Sequence, residues 1–311
     1  MLCATLAGAL WLTLALTAMA GAASAEGSLV AATPFAHVLR AAVPDVHKPI
    51  CTGTAEAPGV LAGRYTGNVT VEGECVVNAG QAVVDGNLTI GEGSTLLAAF
   101  GLNDVKHSGN SNLTVHGSVR VRPGASLLLG CEPLHFSCID DPEPEPGTLS
   151  SKDHIYGSLI EQGPLGVVVH NSEVNGNVLE SGGGGGVNCN PQGIFEFFPV
   201  YSDYEDMTVG GRLMVKDLES CWLGIARVHV GGKLDLLGDQ LADPDAIEVI
   251  ANRVDGNMNC REDSQVWDSA EASEGLFPRV AEPNTVAGKR FGQCVLASPE
   301  TEGGPLGPGA F

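Results

Sequence analysis

One phrase recurs along this chain and limits its fold more than any other feature: an aliphatic residue, a spacer, glycine, a polar or basic residue, an aliphatic, a second spacer and usually another aliphatic. It stands at residues 84–90 (VDGNLTI), 115–121 (VHGSVRV), 155–161 (IYGSLIE), 174–180 (VNGNVLE), 209–215 (VGGRLMV), 230–236 (VGGKLDL) and 254–260 (VDGNMNC). Residues 65–71 (YTGNVTV) open the series and 286–292 (VAGKRFG) close it loosely. Its glycines are 19 residues apart from Gly67 to Gly86 and from Gly157 to Gly176, 21 from Gly211 to Gly232 and 24 from Gly232 to Gly256. Between them lie short apolar runs alternating with period 2, such as NVTV, NLTI and SVRV, which read as strands of a few residues. A period of roughly 20–25 residues that holds several short strands and no helical segment is what one turn of a β-solenoid needs.

The pattern predicts an all-β domain over residues 64–294, a parallel β-helix of about ten coils, right-handed as parallel crossovers generally are. Alternation sends Leu88 and Ile90, Val119 and Val121, Leu213 and Val215, and Leu234 and Leu236 inward. The glycine sits at the preceding corner, where a positive φ or the close approach of the next coil excludes a side chain. Asn or Ser follows it at 68, 87, 118, 158, 177 and 257, consistent with a hydrogen-bonded ladder at a bend. The intervals of 40 residues from Gly117 to Gly157 and 35 from Gly176 to Gly211 are too long for one turn. Their surplus is two loop insertions, an acidic proline-rich excursion at 131–147 and a glycine run followed by aromatics at 182–206, where function is most cheaply added.

Residues 1–25 carry no charged side chain, are apolar from Leu2 to Ala20 and end in Ala23-Ser24-Ala25, the pattern of a secretory signal. A retained anchor is the alternative, but the run is at the short end of the ~20 residues that span a bilayer. Residues 26–63 read as an extended lead-in with Pro34, Pro44, Pro49 and Pro58, and 295–311 as a disordered tail. Cleavage after a segment containing Cys3 leaves eight cysteines, an even set that in an exported chain reads as disulfides. Nearness along the chain favours Cys51–Cys75, Cys131–Cys138, Cys189–Cys221 and Cys260–Cys294, although spacing alone does not fix connectivity. There is no C-x-x-C pair for a thiolate zinc site or redox motif. With 37 acidic against 16 basic side chains, a formal charge of −21, the surface repels phosphates. Nucleic acid and anionic headgroups are therefore poor partners, while an extracellular polysaccharide or an envelope protein remains open.

The stretches CTGT, GRYTGNVTVEGECVV and VVDGNLTIGEGSTL, then GGGGGVNC, SDYEDMTVGGRLMV, ESCWLG and DPDAIEVIANRVDGNMNC, resemble a group of uncharacterised exported bacterial repeat proteins expected to form parallel β-helices. The likeness covers nearly all of the mature chain and implies fold and export, with no activity or catalytic residues to carry over. The more general relation, to pectate-lyase-like β-helices and bactofilin-like polymer-forming solenoids, is one of architecture.

Two function classes follow. The preferred one is a non-catalytic envelope or extracellular protein with a structural, adhesive or glycan- or partner-binding role. The other is a polysaccharide lyase or hydrolase, for which Asp203, Glu205, Asp206 and Asp217 are the candidate acids, and Arg212 and Lys233 the candidate bases. Asp243, Asp245, Glu219 and Glu248 are further local carboxylates. Only that alternative calls for a cation, Ca²⁺; otherwise no cofactor and no metal site is expected. His116 and His229 fall out of register with each other, and His154 and His170 are nearer but read as a solvated outward pair. Asn68, Asn87 and Asn112 begin Asn-x-Thr triplets, which serve either N-glycosylation or the ladder. Ile160, Leu179 and Met214 occupy successive outward spacers, unless a bulge turns them inward in place of Glu161 and Glu180. The aromatics Phe195, Phe197, Phe198, Tyr201 and Tyr204 are expected either to fold over that stripe or to stack on sugar rings. An enzyme should gather charged residues from several coils in a groove, whereas a structural protein should scatter them.

Overall fold

The computed structural model describes residues 49–143, 146–196, 198–242, 247–268 and 283–296. The signal sequence read at 1–25, the lead-in up to residue 48, the tail from 297, Phe197, Asp243 and Asp245 lie outside the described residues. Among the described residues the chain is all-β, with 29 short strands and one helix, Gln293–Leu296. Strands begin at Ile50–Gly53, which pairs with Val69–Val76, so the end of the presumed lead-in already belongs to the sheets.

The strands form three long ladders and one two-stranded pair, Glu219–Ser220 with Gln240–Leu241. The first, a nine-stranded sheet, collects the strand before each phrase glycine, among them Ala82–Val84, Leu113–Val115, His154–Ile155 and Glu173–Val174. A second collects the strand after it: Leu88–Ile90, Val119–Val121, Leu159–Gln162, Val178–Ser181, Leu213–Lys216, Leu234–Leu237 and Met258–Arg261. The third contains Thr95–Ala98, Ser126–Leu129, Gly166–Val169, Tyr201–Glu205, Trp222–Ala226 and Ile247–Ile250. Val69–Val76 pairs into both the second and the third, joining them as one 18-stranded sheet. Pairing is parallel and in phrase register, Leu88 with Val119, Val119 with Leu159, Leu159 with Val178, Val178 with Leu213, Leu213 with Leu234 and Leu234 with Met258. All seven are fully buried. A register with period 2 makes this inward column apolar from end to end, and a one-residue slip would expose all of it.

At the corners the neighbouring backbone is too near for a side chain. A Cβ on Gly117 would stand 2.5 Å from the Gly86 carbonyl oxygen, and one on Gly157 2.5 Å from that of Gly117. Gly67, at the start of the series, has nothing within 4 Å of that position. Close approach, not positive φ, therefore selects these glycines. The polar residue that follows forms the expected ladder: Asn87 N–H donates to Asn68 Oδ1 (2.8 Å), Ser118 N–H to Asn87 Oδ1 (2.9 Å), Ser158 N–H to Ser118 Oγ (3.1 Å) and Asn177 N–H to Ser158 Oγ (3.0 Å). Asn112 Oδ1 likewise accepts from Lys152 N–H (3.3 Å). All three Asn-x-Thr side chains are thus engaged with the neighbouring layer. The four disulfides are those favoured by nearness: Cys51–Cys75, Cys131–Cys138, Cys189–Cys221 and Cys260–Cys294.

One inward column breaks the aliphatic rule. Between Val121 and Val215 it places Glu161 and Glu180, both fully buried and paired in register, with no bulge. Tyr204, inward on the third ladder, has its hydroxyl 2.7 Å from Glu161 Oε2 and 2.9 Å from Glu180 Oε2, and Ser202 Oγ donates to Glu180 Oε1 at 2.7 Å. A tyrosine has one proton to donate, so both short contacts hold only if one carboxyl is itself protonated. Burial, then the charge of Glu180, holds Glu161 well above the usual carboxylate range; burial pushes Glu180 up to about 7.

Two outcomes are expected. Gly157→Ala should cost about 1–3 kcal/mol through overpacking, whereas Gly67→Ala should change stability by less than about 0.5 kcal/mol; urea unfolding of the two variants checks this. Glu180 in the folded chain binds its proton more tightly than in the unfolded chain, where the value is near 4.5. Its stabilisation is complete below that value and is lost as pH rises through about 7. Buried Asp153, pushed to about 7, acts in the same direction. At about 1.4 kcal/mol per pKa unit the loss amounts to a few kcal/mol. Thermal unfolding should therefore occur at a higher temperature at pH 5 than at pH 8, with a shallower dependence in Glu180→Gln.

Candidate functional site

The densest cluster of ionisable groups lies on the outward side of the third ladder, beneath the two insertions. Alternation along Tyr201–Glu205 points Ser202 and Tyr204 inward and Tyr201, Asp203 and Glu205 outward. Asp203 and Glu205 are nevertheless only 2% and 3% exposed, because the insertions roof that side. Phe195 and Val200 of one insertion close on Val168, with Leu128, Phe136, Leu165, Ile194 and Tyr201 packed against them. Phe195 meets Tyr201 edge-on at 5.4 Å, and Cys189–Cys221 ties this insertion to the start of the strand Trp222–Ala226. In the other insertion, Cys131–Cys138 closes a tight loop in which Glu132 N–H bonds the Phe136 carbonyl (2.9 Å). Asp140 fastens that loop by accepting from Gly101 N–H (2.7 Å) and Leu102 N–H (2.8 Å).

His170, just after Gly166–Val169, sits at the junction and is 2% exposed. Its Nδ1 is 3.0 Å from Glu132 Oε1 and its Nε2 3.1 Å from Asp203 Oδ2, while Phe136 stacks on the ring at 4.5 Å. Burial alone would lower its pKa; hydrogen bonds to Asp203 and Glu132 and the charges of Glu205 and Asp203 outweigh it and raise it to about 10. Beside it, Arg227 Nε donates to both oxygens of Asp206 (2.9 and 3.0 Å), and Arg227 Nη2 pairs with Glu205. Asp206 and Arg227 hold left-handed backbone, φ 48° and 55°, at matching turns after their strands, which stacks one side chain over the other. Burial, then the charge of Asp203, drives the Glu205 pKa well up, against the opposing pull of His170 and Arg227. Three overlapping groups, Glu132/His170/Asp206, His135/Glu205/Asp206 and His170/Asp203/Glu205, bring their donor atoms within 4.8 Å of one another.

Of the sequence candidates, Asp203, Glu205 and Asp206 thus come together, whereas Arg212, Lys233 and Asp217 lie elsewhere. Arg212 belongs to the second ladder's corner, where its N–H bonds Asn177 Oδ1 (2.8 Å) and its Nε pairs with Asp235 (2.8 Å). Lys233 is exposed at the next corner. Asp217, at φ 53°, shares a left-handed turn position with Gly182 and Gly238 and pairs with its neighbour Lys216 (3.2 Å). The basic partner in the cluster is Arg227, which sequence reasoning passed over together with Glu132 and His135. The signal for Glu132 was its place beside Cys131 in an insertion. Nor is His170 half of a solvated pair: His154, on the first ladder, stacks on Tyr156 (4.0 Å) and contacts Asn175 Oδ1 (3.1 Å).

The aromatic insertion lies on a different face from the one expected. It covers Val168 and Leu128 on the third ladder, not the stripe of Ile160, Leu179 and Met214, which stays half-buried and in register on the second. Phe198 is exposed and Tyr204 lies wholly inside, so the four described aromatics, Phe195, Phe198, Tyr201 and Tyr204, form no single stacking platform.

Removing Arg227 would leave Glu205 and Asp206 without this cation. Arg227→Met should cost on the order of 3 kcal/mol, as loss of one partner of a buried ion pair does. Arg253→Met, whose Arg253–Asp255 pair is exposed, should leave chemical unfolding unchanged. No family model, curated protein or solved structure matches this chain.

Proposed function

We propose that this chain is an exported, non-catalytic protein of the cell envelope or extracellular space, a right-handed parallel β-helix with a structural, adhesive or glycan- or partner-binding role. In-register parallel ladders with a continuous apolar column from Leu88 to Met258 support the β-helix reading. Four disulfides and the signal-like residues 1–25 support export. Among the described residues, no helix is long and apolar enough to cross a membrane.

The observation that carries the non-catalytic reading is the closure of the cluster. His170, Asp203 and Glu205 are 2–3% exposed and already face side-chain partners, so a polysaccharide chain has no access to the groups that would act as acid and base. Sealed charges of this kind fasten the two insertions to the sheet. A second reading, a carbohydrate-active enzyme of the pectate-lyase-like β-helix class, is favoured by one observation. Glu132, His170, Asp203, Glu205 and Arg227 converge from separate segments, as charged residues do in such enzymes.

A glycan array combined with reducing-end and unsaturated-product assays, with and without Ca²⁺, separates the two. Binding without product, or neither, is expected. Product formation that is lost in Asp203→Asn would establish the enzyme instead.

A further inference from the structure

We propose that the junction of the two insertions is a binding site for a divalent transition-metal ion, of the class of Zn²⁺, with His170 Nε2, Asp203 and Glu205 as ligands and Glu132 as the carboxylate that orients the imidazole. Four carboxylates, Glu132, Asp203, Glu205 and Asp206, meet around the His170 imidazole with Arg227 as the facing guanidinium. Excess negative charge held away from water calls for a counter-charge.

The second observation is independent of the charge count. Asp203 is 2% exposed, yet its Oδ1 is buried with no hydrogen-bond partner, and Glu132 Oε2 is in the same condition. A buried acceptor left unsatisfied is rare and costly, and an ion held by both oxygens of Asp203 resolves Oδ1, while Glu132 on the far side of the ring is no ligand. The donor geometry fits. Two ligands at ~2.0–2.1 Å from a tetrahedral ion stand about 3.3 Å apart, and His170 Nε2 lies 3.1 Å from Asp203 Oδ2. Glu205 completes a group whose donor atoms all fall within 4.8 Å. On the far side of the ring, Nδ1 faces Glu132 Oε1 at 3.0 Å, the carboxylate–histidine arrangement that fixes the tautomer leaving Nε2 free to coordinate. Phe136 stacked on the ring, and Cys131–Cys138 closing the loop that carries Glu132, hold this geometry before any ion arrives.

The donor set selects the metal. An imidazole nitrogen with carboxylates suits zinc and its first-row neighbours, whereas calcium takes oxygen ligands alone. Coordination takes the neutral imidazole, with its one ring proton on Nδ1 toward Glu132 and Nε2 bare for the metal. The part-exposed side chains of Arg227 and Asp206, 19% and 26%, stand at the rim.

The test uses the full exported chain, stripped with a chelator and titrated with Zn²⁺ and, separately, Ca²⁺ by calorimetry, with metal content read by mass spectrometry. One Zn²⁺ per chain is expected, bound more tightly than Ca²⁺. Affinity should fall at least tenfold in Asp203→Asn and in His170→Gln, and roughly 10–100-fold in Glu132→Gln, while Asp217→Asn and His229→Gln leave it unchanged. Absence of stoichiometric Zn²⁺, a preference for Ca²⁺, or undiminished binding in Asp203→Asn and His170→Gln overturns the site. Should those variants fail to fold, X-ray absorption of the Zn²⁺-loaded wild-type chain decides. One imidazole with oxygen ligands supports the site; several imidazoles or an all-oxygen shell excludes it.

Discussion

The close approach of successive layers at the corner glycine is the constraint on which the rest depends. There the backbone of one layer comes so near the next that a Cβ would fall within 2.5 Å of a carbonyl oxygen. That approach places the Asn or Ser beside it within hydrogen-bond reach of the following layer, as in the Asn68–Asn87–Ser118–Ser158–Asn177 series. With the corners aligned, the strands on either side pair in register, and the inward columns become continuous. A displacement at one corner would be transmitted to every strand pairing beyond it, since the period of 2 tolerates no single-residue slip.

On that rigid frame, polar groups are buried in two different ways. Glu161 and Glu180 lie among the inward columns and meet at the Tyr204 hydroxyl, a costly arrangement that a leucine in each place would avoid. His170, Asp203 and Glu205 face outward and are buried only because two disulfide-closed insertions fold down on them. The interior acids depend on strand register alone; the outer cluster depends on loops. Raised carboxyl pKa values in both places mean that the same burial which packs the protein also couples its stability to pH.

Much of the frame was legible in the sequence because its signals are local and repeated. Leu88, Val119, Leu213 and Leu234 read as inward from alternation, and they are fully buried. The cysteine pairs followed from nearness along the chain, which works when each bridge ties neighbouring layers. The candidate site was only half legible. Asp203, Glu205 and Asp206 were visible as a local triplet, but the basic residue was sought at Arg212 and Lys233, which follow the phrase glycines. Those positions lie at corners of the second ladder, whereas Arg227 reaches the acids across one layer of the third. The face that the aromatic insertion covers is not legible for the same reason, since nothing in a loop's sequence states which sheet it returns to.

The sequence by itself determined the layer: where the chain turns, which residues point inward and why glycine and asparagine recur, because each of these is set within one period by sterics and alternation. Only the tertiary structure decided that Glu132 and His135 from one insertion, His170, Asp203, Glu205 and Asp206 from two strand ends and Arg227 from the next layer meet at one point. Their contacts join residues 21 to 38 positions apart in the chain, and such distances are closed by the stacking of layers and the descent of loops, neither of which is encoded in any short stretch.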